Sequence, residues 1–168
     1  MRLFFLLLLT VASALAATNS DAAYAPLWLY NGNWQITRSG AAKPDKLVNA
    51  CALVGKYFAC QQSVNGVPGN LVIFIPTNTP GKYHTQNLTP EGRATGLANL
   101  DINGDHWIYN NTWDQGGSTT YYKTTNIFSG KNRIHYEQLE SSDNKEWKTT
   151  GSGDEVRTGP VPAKVIVR

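Results

Sequence analysis

Residues 51–60 read CALVGKYFAC, the clearest single indication of strand pairing in the chain. Gly55-Lys56 at the centre suits a two-residue type II′ turn, which would fold the segment into a hairpin. Counting outward from that turn, Cys51 faces Cys60 at a non-hydrogen-bonded pair, where Cα atoms lie about 4.5 Å apart, within disulfide reach. The spacing therefore predicts two antiparallel strands and a Cys51–Cys60 disulfide; the alternatives are two free buried thiols or a metal pair.

Segments of alternating polar and apolar residues continue on both sides of this hairpin, separated by turn dipeptides such as Asn65-Gly66 and Asn103-Gly104. No stretch shows a sustained helical period. Many strands at short, regular spacing are typical of a sandwich or a closed barrel. We expect ten strands, near residues 33–38, 47–54, 57–63, 70–75, 82–88, 96–102, 105–113, 119–128, 132–140 and 145–150.

The first residues have the pattern of a secretory signal peptide. A basic Arg2 precedes an apolar run over residues 3–9, and Ala14-Leu15-Ala16 provides a small-residue cleavage site. The apolar run is shorter than the roughly 20 residues of a membrane span. We therefore expect residues 1–16 to be a signal peptide, the alternative being an uncleaved anchor. The product would be secreted or periplasmic, would not be embedded in a membrane, and would meet an oxidising compartment.

Composition indicates one domain and argues against polyanionic partners. The 168 residues include 15 basic and 12 acidic side chains, with no block of Lys or Arg, so nothing points to nucleic acid or to an anionic membrane. We expect a flexible leader at 17–26, a barrel domain at 27–157, and a tail or edge strand at 158–168. The oligomeric state is left open.

The stretch LWLYNGNW at residues 27–34 resembles the start of lipocalin-like (calycin) barrels, where a short helical turn leads into a Gly-x-Trp motif. Gly32 and Trp34 match that motif. The resemblance implies that Trp34 closes the bottom of the barrel and that Arg157, from the last strand, packs across it.

Further similarity is to lipocalin-like domains of uncharacterised bacterial secreted proteins, over residues 48–51, 83–86, 125–128 and 155–157. The chain departs from true lipocalins in carrying Thr124-Thr125-Asn126 where they have a Thr-Asp-Tyr turn. Together with the strand pattern, the resemblance implies an all-β fold: a single antiparallel barrel of about ten strands with a short N-terminal helical turn.

Aromatic side chains recur on one face of several predicted strands. Trp107, Tyr109 and Trp113 share a face, because side chains two positions apart point the same way along a strand. If that face points inward, the rings form either an ordinary core or an apolar pocket; an external carbohydrate platform would leave the core empty. The leading hypothesis is a barrel that binds a small apolar or aromatic ligand without a cofactor. The candidate ligand-binding residues are Tyr83, Trp107, Tyr109, Trp113, Tyr122 and Tyr136.

No linear motif assigns catalysis or a metal. Gly-x-Ser-x-Gly, a Gly-rich phosphate loop and His-Glu-x-x-His do not occur in the sequence, so no catalytic residue is named. His106, His135 and Glu137 could in principle bind a metal, but their alternation places them on the surface. An isomerase or hydrolase would need His84 in a cavity, beside Tyr83 or Glu137.

Two further expectations concern the surface. A structural or interaction protein of the envelope would expose a large apolar patch or an open sheet edge. Asn87-Leu88-Thr89 and Asn110-Asn111-Thr112 fit the glycosylation acceptor pattern, which matters only in a eukaryotic secretory pathway.

Overall fold

The computed structural model describes residues 20–159, in which a short helix and a 3-10 turn precede ten strands. These elements are α1 (Ser20–Ala23), the 3-10 turn Pro26–Leu29, β1 (Gly32–Arg38), β2 (Asp45–Val54), β3 (Tyr57–Val64), β4 (Val67–Pro76), β5 (Lys82–Leu88), β6 (Ala94–Asn103), β7 (His106–Gln115), β8 (Ser118–Ser129), β9 (Arg133–Ser141) and β10 (Lys148–Arg157).

Each strand pairs antiparallel with its neighbours in the sequence, and β1 also pairs with β10, which closes the barrel. The predicted all-β, single antiparallel barrel of ten strands with a short N-terminal helical turn is confirmed. Within residues 20–159, every strand therefore has a partner on both sides, and the open sheet edge required by the envelope-interaction hypothesis is not present.

The hairpin of β2 and β3 has the register predicted from its sequence. Cys51 pairs with Cys60 and Val54 pairs with Tyr57. Gly55 has a φ of 60°, which is the value that the first central residue of a type II′ turn requires and that glycine adopts without strain. The Cys51–Cys60 disulfide is formed, with the two Cα atoms 4.0 Å apart, and this prediction is confirmed.

The last strand differs from its prediction. A strand was expected at 145–150, but β10 begins at Lys148 and continues to Arg157. The Asp143 carboxylate accepts hydrogen bonds from the backbone N–H groups of Lys145 and Glu146, at 2.8 and 2.9 Å. In such an Asx turn the backbone N–H groups bond to a nearby side chain instead of to a neighbouring strand, so the strand begins after the turn.

The Gly-Ser-Gly sequence at 151–153 suggests a break, yet the strand passes through it. A Cβ atom at Gly153 would lie 2.5 Å from the Thr37 carbonyl oxygen and 2.9 Å from the Tyr136 hydroxyl. Glycine is needed there because β1 and the Tyr136 ring approach the backbone closely. The residue therefore serves the packing of the barrel rather than ending a strand.

One end of the barrel is filled by large side chains, and we call this end the floor. Its fully buried members include Trp34, Leu47, Phe58, Leu100 and Trp107. Trp107 contacts Phe128 with ring centroids 4.4 Å apart. Among the described residues, no helix is long and apolar enough to cross a membrane.

Tyr24 extends this packing into the segment expected to be a flexible leader. It is buried, its ring stacks on Phe58 at 5.7 Å, and its hydroxyl donates to the Lys56 carbonyl oxygen at 3.1 Å. The Tyr83 hydroxyl donates to the Ala23 carbonyl oxygen at 2.5 Å. The domain boundary at 27 stays a prediction, but the contacts of the floor begin before it. The predicted signal peptide and all of the predicted tail beyond Gly159 lie outside the described residues.

Candidate functional site

The floor is sealed by a contact between the first and last strands. The Arg157 guanidinium lies over the Trp34 ring, 4.1 Å from its centroid, and Trp34 and Arg157 are directly paired between β1 and β10. Arg157 also donates to the carbonyl oxygens of Asn31 and Leu29, each at 2.7 Å. A Cβ on Gly32 would collide with the guanidinium. These residues hold the turn before β1 against the barrel end, and none of them contacts the cavity described next.

A cavity of about 550 Å³ occupies the barrel on the other side of the floor. Side chains from all ten strands and from Tyr30 line it. The lining residues are Tyr30, Ile36, Arg38, Asn49, Cys60, Gln62, Asn70, Val72, Phe74, Thr85, Asn87, Ala98, Tyr109, Asn111, Thr124, Asn126, Tyr136, Gln138 and Glu155.

The chemistry of this lining differs from the apolar pocket predicted from the aromatic stripe. Eleven of the 19 lining residues are polar or charged, and seven of those are Asn or Gln. This part of the barrel therefore has a mixed lining, more polar than the aromatic stripe predicts. Amide side chains carry both donors and acceptors, so the wall can hydrogen-bond a ligand in several directions.

The change from apolar to polar follows the strands. On β7 the inward side chains run from Trp107 through Tyr109 to Asn111 and Trp113, and the exposed fraction rises from 1% at Trp107 to 48% at Trp113. The large rings at the floor pack together, while the amides lie where the barrel admits water. Polar side chains at inward positions are tolerated there because they remain hydrated.

A second recess of similar size lies at the open end, which we call the mouth, between β7 and β8. It is lined by Asn111, Trp113, Gln115, Ser118, Thr120 and Tyr122. Asn111 borders both spaces, so the mouth adjoins the cavity.

The six predicted ligand-binding residues therefore divide into three groups. Tyr83 and Trp107 are buried in the floor and do not line the cavity. Tyr109 and Tyr136 line the cavity. Trp113 and Tyr122 line the mouth. Sequence alternation placed all six on inward faces, but it carries no information on their height along the barrel.

Tyr30 joins the floor to the cavity, and it was not among the predicted site residues. Its ring meets Trp107 edge-on at 4.9 Å, and its hydroxyl accepts hydrogen bonds from the Tyr109 hydroxyl at 3.1 Å and from Asn126 Nδ2 at 2.6 Å. Burial raises the pKa values of Tyr30 and Tyr109, so both phenols are neutral at physiological pH. The only sequence signal was its place just before Gly-x-Trp.

The cavity contains one acidic and one basic side chain. Glu155 lies on β10 and Arg38 at the end of β1. Arg38 forms an ion pair with Asp45 across the β1–β2 turn. Burial raises the pKa of Glu155 to about 7, and the positive charge of Arg38 opposes that rise. Glu155 is a further cavity residue that no sequence pattern predicts.

The three histidines lie outside the barrel. His84 is exposed, with Nδ1 2.8 Å from Asn99 Oδ1, and His106 and His135 are about half exposed beside Asp105 and Asp154. The enzyme hypothesis that required His84 inside a cavity is therefore wrong. Across residues 20–159, no group of three or more His, Cys, Asp or Glu side chains could hold a metal ion.

The two potential glycosylation acceptors face opposite ways. Asn87 lines the cavity, and Asn110 precedes the inward-facing Asn111 and so points outward. A glycan on Asn87 would not fit the closed barrel.

The fold and the site together define a closed antiparallel β-barrel with a sealed floor and a polar cavity that is reached from the mouth. No protein-family model, curated protein or solved structure matches the chain.

Proposed function

We propose that the chain is an exported, lipocalin-like barrel that binds one small, hydrogen-bonding ligand in its cavity. The observation that carries the proposal is a cavity of about 550 Å³ inside a barrel sealed at only one end. That volume falls within the range of roughly 300–1,000 Å³ typical of small-molecule sites. A barrel used only as a rigid structure would gain stability by filling this space with side chains.

The lining supports a ligand with both polar groups and a ring. An alkyl chain would remove water from the Asn and Gln side chains without replacing their hydrogen bonds, at a cost of about 1–3 kcal/mol for each amide left unpaired. Tyr109, Tyr136 and Phe74 add aromatic surface to the same cavity. This revises the ligand class expected from the sequence, from apolar toward polar aromatic.

Two observations support export and the lipocalin-like relationship. The Cys51–Cys60 disulfide suits an oxidising compartment. A signal peptide at residues 1–16 would deliver the chain to such a compartment. The 3-10 turn before Gly32-x-Trp34, and Arg157 across the Trp34 ring, follow the pattern of lipocalin-type barrels. Lipocalins have about eight strands, and the ten strands here enclose a wider interior.

The test compares benzamide, a polar aromatic probe, with hexan-1-ol, an uncharged alkyl-chain probe, in calorimetric titrations. Asn111 faces the cavity, whereas its neighbour Asn110 faces outward on the same strand, so Asn111→Ala and Asn110→Ala form a matched pair. We expect benzamide to bind better than hexan-1-ol, and Asn111→Ala to weaken benzamide binding about fivefold, the equivalent of one hydrogen bond. Tighter binding of hexan-1-ol, or equal effects of the two variants, would contradict the proposal.

A further inference from the structure

Glu155 is unusual among the cavity side chains because its charge has no direct partner. Its Cα partners across the sheet are Ile36 on β1 and Ile134 on β9, both apolar. Arg38, the nearest basic residue of the lining, is paired with Asp45 instead. Among the side chains of residues 20–159, none donates a hydrogen bond to the Glu155 carboxylate. The carboxylate is thus held in the cavity wall without an ion pair of its own, and Arg38 acts on it only at longer range.

Aromatic rings surround the same space. Tyr30, Tyr109 and Tyr136 line the cavity with Phe74, and the phenols are kept neutral by burial. The faces of such rings carry partial negative charge and attract cations. A carboxylate and several aromatic side chains lining one cavity are complementary to a positively charged head group rather than to an anion.

We propose that the cavity selects organic ammonium ions, with Glu155 as the counter-ion and the tyrosine rings as the wall around the cationic group. This inference rests on the proposed ligand-binding function and names the ligand class within it. The amides nearer the mouth would then bind the polar remainder of the ligand. Arg38 also lines the cavity, and its ion pair with Asp45 reduces the repulsion that it exerts on a bound cation.

Binding should depend on pH in a defined direction. The groups that face Glu155 are Arg38 from β1, Tyr136 from β9 and Tyr30 from the turn before β1, and neither phenol ionises near neutral pH. Burial holds the pKa of Glu155 at about 7. A cation requires the ionised carboxylate, so its affinity should rise with pH up to this value and level off above it.

Choline and 3,3-dimethylbutan-1-ol form a suitable probe pair, because they have nearly the same shape and only choline is charged. The charge of choline is also independent of pH, so any pH dependence of its binding comes from the protein. At about pH 8 we expect choline to bind at least tenfold more tightly than the alcohol, since the ion pair and the rings act together. Below about pH 7 its affinity should fall toward tenfold per pH unit, while that of the alcohol should not change.

Glu155→Gln should remove both the preference for choline and its pH dependence. Glu137→Gln is the matched control, because Glu137 lies on the neighbouring strand β9, is exposed and changes the net charge equally. Equal binding of choline and the alcohol by the wild type, or the same loss in both variants, would overturn the inference. Should Glu155→Gln fail to fold, the pH series on the wild type still decides.

Benzamide separates this inference from the proposed function. If benzamide binds in the cavity and choline shows no advantage over the alcohol, the ammonium assignment is wrong and the ligand-binding function stands. If neither benzamide nor choline binds, both are wrong.

Discussion

Arg157 of β10 covers the indole of Trp34 of β1, with the guanidinium carbon 4.1 Å from the ring centroid. The same side chain satisfies two carbonyl oxygens of the turn before β1 and a third, that of Lys131, at 2.9 Å. One residue therefore connects the strands that close the barrel with the loops at its floor. The contact is both a cation–π interaction and a set of charge-assisted hydrogen bonds.

Replacing Arg157 by Ala should destabilise the barrel by about 2–4 kcal/mol, because the carbonyl oxygens of Asn31 and Leu29 lose their donor and the Trp34 ring loses its cover. Urea unfolding measures the change. Arg133→Ala, an exposed position on β9, is the control and should cost less than about 0.5 kcal/mol. Similar losses for the two variants would show that charge, rather than this contact, is responsible.

Removing the disulfide with the double change Cys51→Ala and Cys60→Ala should cost about 2–3 kcal/mol, because the closed loop restricts the unfolded chain. Urea unfolding of the wild type with and without a reductant gives the same comparison without mutation. The register of the hairpin should survive, since Gly55 and the inward side chains Leu53 and Phe58 still specify it. Loss of the fold would show that the disulfide defines the pairing.

Gly153→Ala should destabilise the protein by more than about 2 kcal/mol, because the new Cβ would lie 2.5 Å from the backbone carbonyl oxygen of Thr37. Gly151→Ala on the same strand is the control: its Cβ would meet the movable amide end of Gln138, at 2.9 Å, which can turn away. Thermal unfolding of the two variants tests the difference. An equal fall in melting temperature for both variants would show that the loss comes from a change in the flexibility of β10 and not from the contact with Thr37.

Glu155→Gln should stabilise the protein at about pH 8 and change it little near pH 4, because the native carboxyl binds its proton more tightly than the unfolded one. Its pKa is raised from 4.5 to about 7, so the wild type loses stability as pH rises through this window. Above pH 7 the free energy of unfolding of the variant should exceed that of the wild type by up to about 3 kcal/mol. The difference is smaller to the extent that cavity water hydrates the carboxylate of the wild type. Urea unfolding at a series of pH values measures the difference between the proteins; a difference that does not change with pH contradicts the pKa assignment.

The hairpin and the barrel closure could be predicted because each depends on local or paired signals. Gly55 permits the tight turn, and the cysteines then mark the register without reference to the rest of the chain. Trp34 and Arg157 are directly paired across the closure, so a motif near the N-terminus could be matched to a late arginine.

The end of β10 could not be predicted, because its glycines serve contacts with other strands. Gly153 is required by Thr37 and Tyr136, which are distant in sequence. Residue propensities alone indicate only that Gly-Ser-Gly has a weak preference for strands. Tyr24 was missed for a related reason: its burial depends on Phe58, which the local sequence around it does not indicate.

The polarity of the cavity could not be predicted because alternation gives the face of a residue but not its height. Asn87, Asn111 and Asn126 lie on inward faces, and alternation does not show that the inward face becomes polar along the barrel. The same limit applies to Trp113, which shares a face with the buried Trp107 but is 48% exposed at the mouth. The position of a residue along the barrel axis depends on how the strands are staggered around the closed barrel, and this stagger is a property of all the strands together.

The most direct test of the central claim, that the barrel interior is a ligand site, is a two-dimensional NMR titration of the side-chain amides with benzamide and choline. The account predicts saturable shifts of the inward amides of Asn87, Asn111 and Gln138, while those of the outward Asn110 stay in place. Shifts confined to outward residues, or no saturable shift with either compound, would contradict it.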